Sequence, residues 1–357
     1  MRIYSWGSNS HGQLGQGLEI EQSTEPLPVT FDTEVKDIVG GGKHTVLISK
    51  SGFLFSCGDN DKGQLSKDLS VKSLLIFEPI LLKVKISKVS CGWDFNLALS
   101  EDQDVIGWGG NSFGQLGLPQ VSYIYQPTVI FQGKAVDVGA GLRHSVIVDT
   151  EGCVSASGFG KKGQLGVSFS GEKRNLYEFM KVSSIKNAYK VACGESHTVV
   201  STKGALYAWG DNKFGQLGVD PKSKPNSNVP IPVELKINHT DIAALVSGWS
   251  HSAILTGSGK VVSWGRNDYG QLGEGRTESW RPKTVEALID VRQLILGSNH
   301  GVVLRHNGEV LCWGWNEHGN CGNGSCENVY EPTLLNTKDF DIQLIGTGSA
   351  HSFFCVN

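Results

Sequence analysis

The sequence predicts an all-β protein, a closed seven-bladed β-propeller of four-stranded antiparallel blades whose last blade is shared by the N- and C-termini. Three observations predict it. One motif returns seven times at intervals of about 50 residues, a second returns in step between its copies, and each chain end carries half of a repeat.

The first motif is Trp6-Gly-Ser-Asn-Ser-His-Gly-Gln-Leu-Gly15. It recurs from Cys57 to Leu65, Trp108 to Gly117, Ser157 to Gly166, Trp209 to Gly218, Trp264 to Gly273 and Trp313 to Gly322. The second is Gly-x-x-His, at Gly41–His44, Gly141–His144, Gly194–His197, Gly248–His251, Gly297–His300 and Gly348–His351. In one further copy, Gly92–Phe95, Phe replaces His. After each second motif the residues alternate as in a half-buried strand, turn at a glycine such as Gly52 or Gly152, and alternate again into the next Trp-Gly. A third strand precedes each Gly-x-x-His, as in Val35 to Val39 and Leu288 to Ile295. Small sheets with two apolar faces bury both when packed radially, which is the propeller solution. The main break from strand periodicity is a helix-like spacing around Leu176 to Val182.

The chain ends on Gly348-Ser-Ala-His-Ser-Phe-Phe-Cys-Val-Asn357 and begins on Ile3-Tyr-Ser-Trp-Gly7, the first and second halves of one repeat. Joining them leaves no open sheet edge. The expectation is one domain over 1–357, with blades near 35–82, 83–132, 133–184, 185–239, 240–288, 289–338, and 339–357 plus 1–34.

Composition narrows the function. Glycine is about one residue in eight against a usual ~7%, as tight turns require. A formal net charge of −3 with no basic block gives no source for the counterion release that drives nucleic-acid binding. Residues 1 to 20 lack a signal-peptide pattern and no segment is apolar enough to span a bilayer, so a cytoplasmic and nuclear monomer without membrane insertion is expected. Six of the eight cysteines follow the repeat and read as small buried residues: Cys57, Cys153 and Cys312 in strand-like segments, Cys91 and Cys193 before a repeated Gly, and Cys321 in the slot that is Leu elsewhere. Cys321 and Cys326 are the only close pair, without the second pair or histidines a zinc site needs, so neither metal nor cofactor is expected. Phosphate-loop and nucleophile-elbow patterns are absent, and no covalent chemistry is expected.

Trp-Gly-x-Asn-x-x-Gly-Gln-Leu-Gly alternating with Gly-x-x-His resembles the regulator of chromosome condensation repeat family over essentially the whole chain. The strings Cys91-Gly-Trp-Asp-Phe95, Ala140-Gly-Leu-Arg-His144, Ser247-Gly-Trp-Ser-His251 and Trp264 to Gly273 resemble its secretion-regulating guanine nucleotide exchange factors. The resemblance implies a seven-bladed propeller that binds protein through loops on one face; the family's best-understood member releases nucleotide from the small GTPase Ran. The basic N-terminal tail of that member has no counterpart before the first repeat here.

The repeats serve as an internal alignment. Residues that recur from copy to copy, the six histidines and the tryptophans of Trp-Gly among them, are read as scaffold. Function is expected where the copies disagree. The resemblance places the variable positions of Gly-x-x-His around one mouth, which selects Lys43, Trp93, Asp94, Arg143, Glu195, Trp249 and Asn299 as the partner-binding set. Trp93, Arg143 and Trp249 are interface-anchor residue types, and Asp94 and Glu195 could compete for a GTPase's lysine or Mg²⁺. Insertions at 167–186 and 219–233 interrupt the repeat and read as loose loops. The expected function is protein binding, as an exchange factor-like regulator of a small GTPase with a role in secretion. The alternative is an adaptor without exchange activity, docked on a secretory or exocyst-type complex.

Overall fold

Each repeat becomes four antiparallel strands, and the motifs mark the places where they turn. The computed structural model describes residues 1–169, 174–233, 241–277, 279–337 and 340–357. In the first full repeat, β3 (Val35–Gly40) leads into Gly41–His44 and β4 (His44–Ser49) returns. β5 (Leu54–Asp59) carries the next motif, and β6 (Ser73–Ile80) completes the unit. The registers Val39↔Val46, Val46↔Ser56 and Ser56↔Glu78 make it one antiparallel sheet.

Five such four-stranded sheets follow one another, together with one eight-stranded sheet. The larger sheet joins β3 to β6 with a unit built from both chain ends: β1 (Arg2–Ser8), β2 (Gln22–Val29), β27 (Ile342–Thr347) and β28 (His351–Val356). One parallel pairing, Thr347 with Val39, links the halves. β1 pairs with β28 from Arg2↔Val356 to Gly7↔His351, and Tyr4 stacks on Phe354 with ring centroids 5.0 Å apart. The remaining first strands are β7 (Ile86–Cys91), β11 (Ala135–Ala140), β15 (Ala188–Cys193), β19 (Ile242–Ser247) and β23 (Val291–Leu296). Each contacts the first strand of the next unit, and the series returns from β27 to β3.

The helix-like stretch at Leu176 to Val182 is a strand, β14 (Asn175–Lys181). Its pairing with the preceding strand is irregular between Ala156 and Gly158. That irregularity lets Leu176 and Phe179, three residues apart, both turn toward apolar clusters, which imitates helical spacing. No α-helix occurs among the described residues, and none is long and apolar enough to cross a membrane. Neither insertion is only a loose loop: β14 lies within 167–186, whose residues 170–173, Lys173 among them, are outside the described residues, and β18 (Asn226–Val233) lies within 219–233.

The repeated residues lock neighbouring units together. Trp6, Trp108, Trp209, Trp264 and Trp313 are fully or almost fully buried, and burying ~200 Å² of indole is worth roughly 5 kcal/mol against full exposure. Each indole Nε1 also donates to a main-chain carbonyl of the preceding unit's loop: Trp108 to Gln64 at 2.9 Å, Trp264 to Gln216 at 3.0 Å, and Trp6 to Asn320 at 2.8 Å across the chain ends. The glycine after the tryptophan is forced by contact. At Gly7, with φ 103°, a Cβ would lie 2.5 Å from the Ala350 carbonyl oxygen and 2.7 Å from His351 Cα.

Candidate protein-binding site

The Gly-x-x-His turns meet at one mouth, where the main chain stitches them together. Gly42 N–H donates to Trp93 O at 3.0 Å, Trp93 to Leu142 O at 3.4 Å, Glu195 to Trp249 O at 2.9 Å, and Trp249 to Ser298 O at 2.8 Å. Ser298 donates to Ser349 O and Ser349 to Gly41 O, both at 3.0 Å. Among the described residues, the junction between Leu142 and Glu195 has no such bond.

Beneath the turns the histidines form a second belt. His351 Nε2 lies 2.9 Å from Thr45 Oγ1, which donates its own proton to Gln13 O at 2.7 Å, so the imidazole must be the donor between them. His144 and Thr198 repeat this arrangement with Gln164 O, and His44 reaches Asn96 Oδ1 at 2.8 Å. Burial drives all six imidazoles toward the neutral form: His44, His197 and His300 fall to about 4, and His144, His251 and His351 to about 3. His251 differs, since neither ring nitrogen has a partner. The residue that would supply a hydroxyl is Gly301, and the Trp313 ring fills that space, 2.2 Å from where a Cβ would be.

At the mouth itself, Trp93 and Trp249 come together from distant repeats, with centroids 5.9 Å apart and planes tilted 51°. Both are half-buried and line a cavity of about 230 Å³ within the belt of first strands. Thr347 also lines this cavity, with its hydroxyl unpartnered.

The charged members surround that pair. Arg143 is exposed, with its guanidinium carbon 4.5 Å from the centre of the Phe113 ring. Burial raises the Asp94 carboxyl above its ordinary value against the opposing pull of Lys62 and Arg143, and its Oδ1 has no hydrogen-bond partner. Burial also raises Glu195, reinforced by Asp211 and opposed by Arg266, Lys162 and Arg143. Arg143 therefore acts on both acids. Lys43 is half-buried with its Nζ 3.4 Å from His11 Nε2. Asn299 is 6% exposed and its Oδ1 accepts from Gln271 Nε2 at 3.3 Å, which makes it part of the mouth's wall.

Sequence reasoning missed the outer tier. Phe113 meets Phe159 edge-on at 5.5 Å, and the Phe214 ring carries Lys213 Nζ at 5.0 Å and the Arg266 guanidinium carbon at 4.6 Å. These residues occupy the variable positions of Trp-Gly-x-Asn-x-x-Gly, so the disagreement test applied to Gly-x-x-His would have found them in the other motif. The fixed Asn of that motif holds the loop, as Asn60 does by accepting from Leu65 N at 3.0 Å. In one repeat Gly160 replaces it, and the insertion's Phe169 packs there, 3.1 Å from where a Cβ would be.

The cysteines are all unpaired. Cys321 is buried and Cys326 exposed, while Cys153 lies in the turn just before its strand instead of within it.

The profile described as RCC1-like domain matches residues 2–354. The chain is 36% identical over 286 residues to the secretion-regulating guanine nucleotide exchange factor of Bos taurus, covering 76% of this chain and 61% of that protein. To the Mus musculus protein of the same name it is 34% identical over 308 residues, covering 80% and 64%. The chain thus spans less than two thirds of the length of these relatives. Among solved structures, Prp20p from Saccharomyces cerevisiae, described with its binding properties to Gsp1p and histones, superposes with a TM-score of 0.89 at 24% identity, covering 99% of this chain and 90% of that one.

Proposed function

This chain belongs to the RCC1-like domain family, and from that premise we propose that it is a closed seven-bladed propeller, one domain over 1–357, that accelerates nucleotide release from a small GTPase. The observation that carries the reading is the union, at one mouth, of the Trp93–Trp249 pair with Asp94, Arg143 and Glu195. Relatives named as secretion-regulating exchange factors support the activity and its setting.

Exchange of this kind needs no covalent step. A rigid surface that binds the nucleotide-free GTPase more tightly than the loaded form shifts the population toward release. The indoles supply apolar anchors with little rotamer entropy to lose. Asp94 and Glu195 are carboxylates whose charge is already costly where they sit, so a partner's lysine or Mg²⁺ recovers energy by pairing with them. A secretory complex docked on the same mouth, without nucleotide dependence, is the adaptor form of this reading.

The test is release of a fluorescent GDP analogue from recombinant small GTPases, using wild type beside Trp93→Ala/Asp94→Ala/Arg143→Ala. Acceleration by wild type and its loss in the triple variant support exchange at this mouth. Binding that persists equally in EDTA and in excess GTP analogue, with no acceleration, makes the adaptor form the better one.

A further inference from the structure

We propose that the arc of cations running from Arg143 through Lys162 and Lys213 to Arg266 receives a carboxylate-rich segment of the partner protein, with Arg143 as its anchor. The proposal rests on the reading that this face docks a protein, and adds the chemistry of what is docked.

Arg143 is exposed and stacked on Phe113, which Phe159 braces edge-on. Among the described residues no carboxylate forms an ion pair with it. A guanidinium packed against a ring and without an ion-pair partner has N–H groups free to meet a carboxylate in a bidentate pair. Arg266 also packs over rings, with its Nε and Nη2 tied to Asp268. Arg266 lies over Phe214 at 4.6 Å and over Tyr269 at 5.1 Å, and Lys213 shares the Phe214 ring. Lys162 is exposed, 3.5 Å from Asp211. Among the corresponding loops of other repeats, one carries exposed Asp61 beside exposed Lys62, and another carries exposed Glu317, which accepts from Trp315 Nε1 at 3.2 Å. The seat for an acidic segment is therefore the arc, where four cations follow one another.

A nucleic-acid strand fits the arc less well. Its evenly spaced phosphates would pass Glu195, Asp211 and Asp268, which alternate with the cations. A peptide can place its carboxylates opposite the cations alone.

The probes are fluorescein-labelled Glu/Gly, Gln/Gly and Lys/Gly peptides of equal length and an oligo-dT strand, titrated into the whole chain and followed by anisotropy at low and moderate salt. The expected result is binding of the Glu/Gly peptide that weakens with salt, with no binding of the other two peptides. Arg143→Gln should weaken it by roughly tenfold, as loss of a charge-assisted pair does, with Arg143→Lys recovering only part. Lys85→Gln, beside Gly52 at the far end of the strands, should behave as wild type. Equal binding of the Glu/Gly and Gln/Gly peptides overturns the proposal. So does unaltered binding by Arg143→Gln/Arg266→Gln, or tighter binding of oligo-dT. GTPase exchange that survives such a result would sink the acidic-segment proposal alone, whereas peptide binding without exchange would sink only the exchange reading.

Discussion

Trp93 and Trp249 stand 5.9 Å apart at the mouth, although they belong to repeats that are not neighbours in the chain. Each is carried on a turn whose main chain is bonded to the next turn, which fixes where both side chains start. Trp249→Ala should cost only about 1 kcal/mol of stability, the worth of an aromatic pair at a half-buried site. It should also change the near-ultraviolet circular dichroism and abolish the acceleration of nucleotide release from the GTPase. Urea titration and release assays on one preparation read all three effects, and unimpaired release would remove the pair from the function.

The histidine belt makes stability depend on pH. The six folded-state values of about 3 to 4 lie below the ~6.5 of an unfolded histidine, so between those limits the unfolded chain binds more protons than the native one. Stability is therefore highest above pH ~6.5 and falls as pH drops toward 4, by up to about 1.4 kcal/mol per pH unit for each histidine. The melting temperature should decline steeply across that window. A flat profile from pH 7 to pH 4.5 would contradict the buried neutral assignment.

Two substitutions of the same kind should have opposite signs. His251→Phe removes two unpartnered buried nitrogens and copies Phe95, which already fills the equivalent place in another repeat. It should be neutral or stabilising by about 1 kcal/mol. His300→Phe breaks a 3.0 Å hydrogen bond to Ser352 and should destabilise by about 1–3 kcal/mol. Paired urea midpoints decide it, and equal losses would mean that His251 has a partner in solution.

Asp94 should trade stability for activity. Its folded-state carboxyl titrates above the unfolded value, so the native state binds the proton more readily and the ionised form costs stability at neutral pH. Asp94→Asn should raise the melting temperature at pH 7, with no gain once the pH is below the unfolded carboxyl's range, and it should slow nucleotide release. A variant less stable than wild type at pH 7 would show that the carboxylate is satisfied.

Much of this was legible because the chain repeats. Seven copies of each motif, with Trp-Gly in five and Gly-x-x-His in six, placed the strands, and the half repeats at Ile3 and Gly348 foretold the pairing of β1 with β28. Trp93, Asp94, Arg143, Glu195 and Trp249 were found by their variation, and the structure brings them to one mouth. Other features were beyond local reading. Leu176 and Phe179 imitate a helix because a pairing irregularity is invisible without the partner strand. Asn299 varies among the repeats yet is walled in by Gln271, a contact set by the adjoining loop. The missing partner of His251 depends on Gly301, a long way along the chain, and on the Trp313 ring that occupies the space.

The sheet that holds both β1 and β28 has a consequence for how the protein is made. Arg2 to Ser8 are synthesised before every intervening repeat, and their partner strand, His351 to Val356, after all of them. Until then β1 offers an unpaired edge to any neighbouring nascent chain. The latest contact to form is thus the one that spans the longest loop, the slowest kind to close. Chaperone demand should accordingly concentrate in the moments just before translation passes Val356.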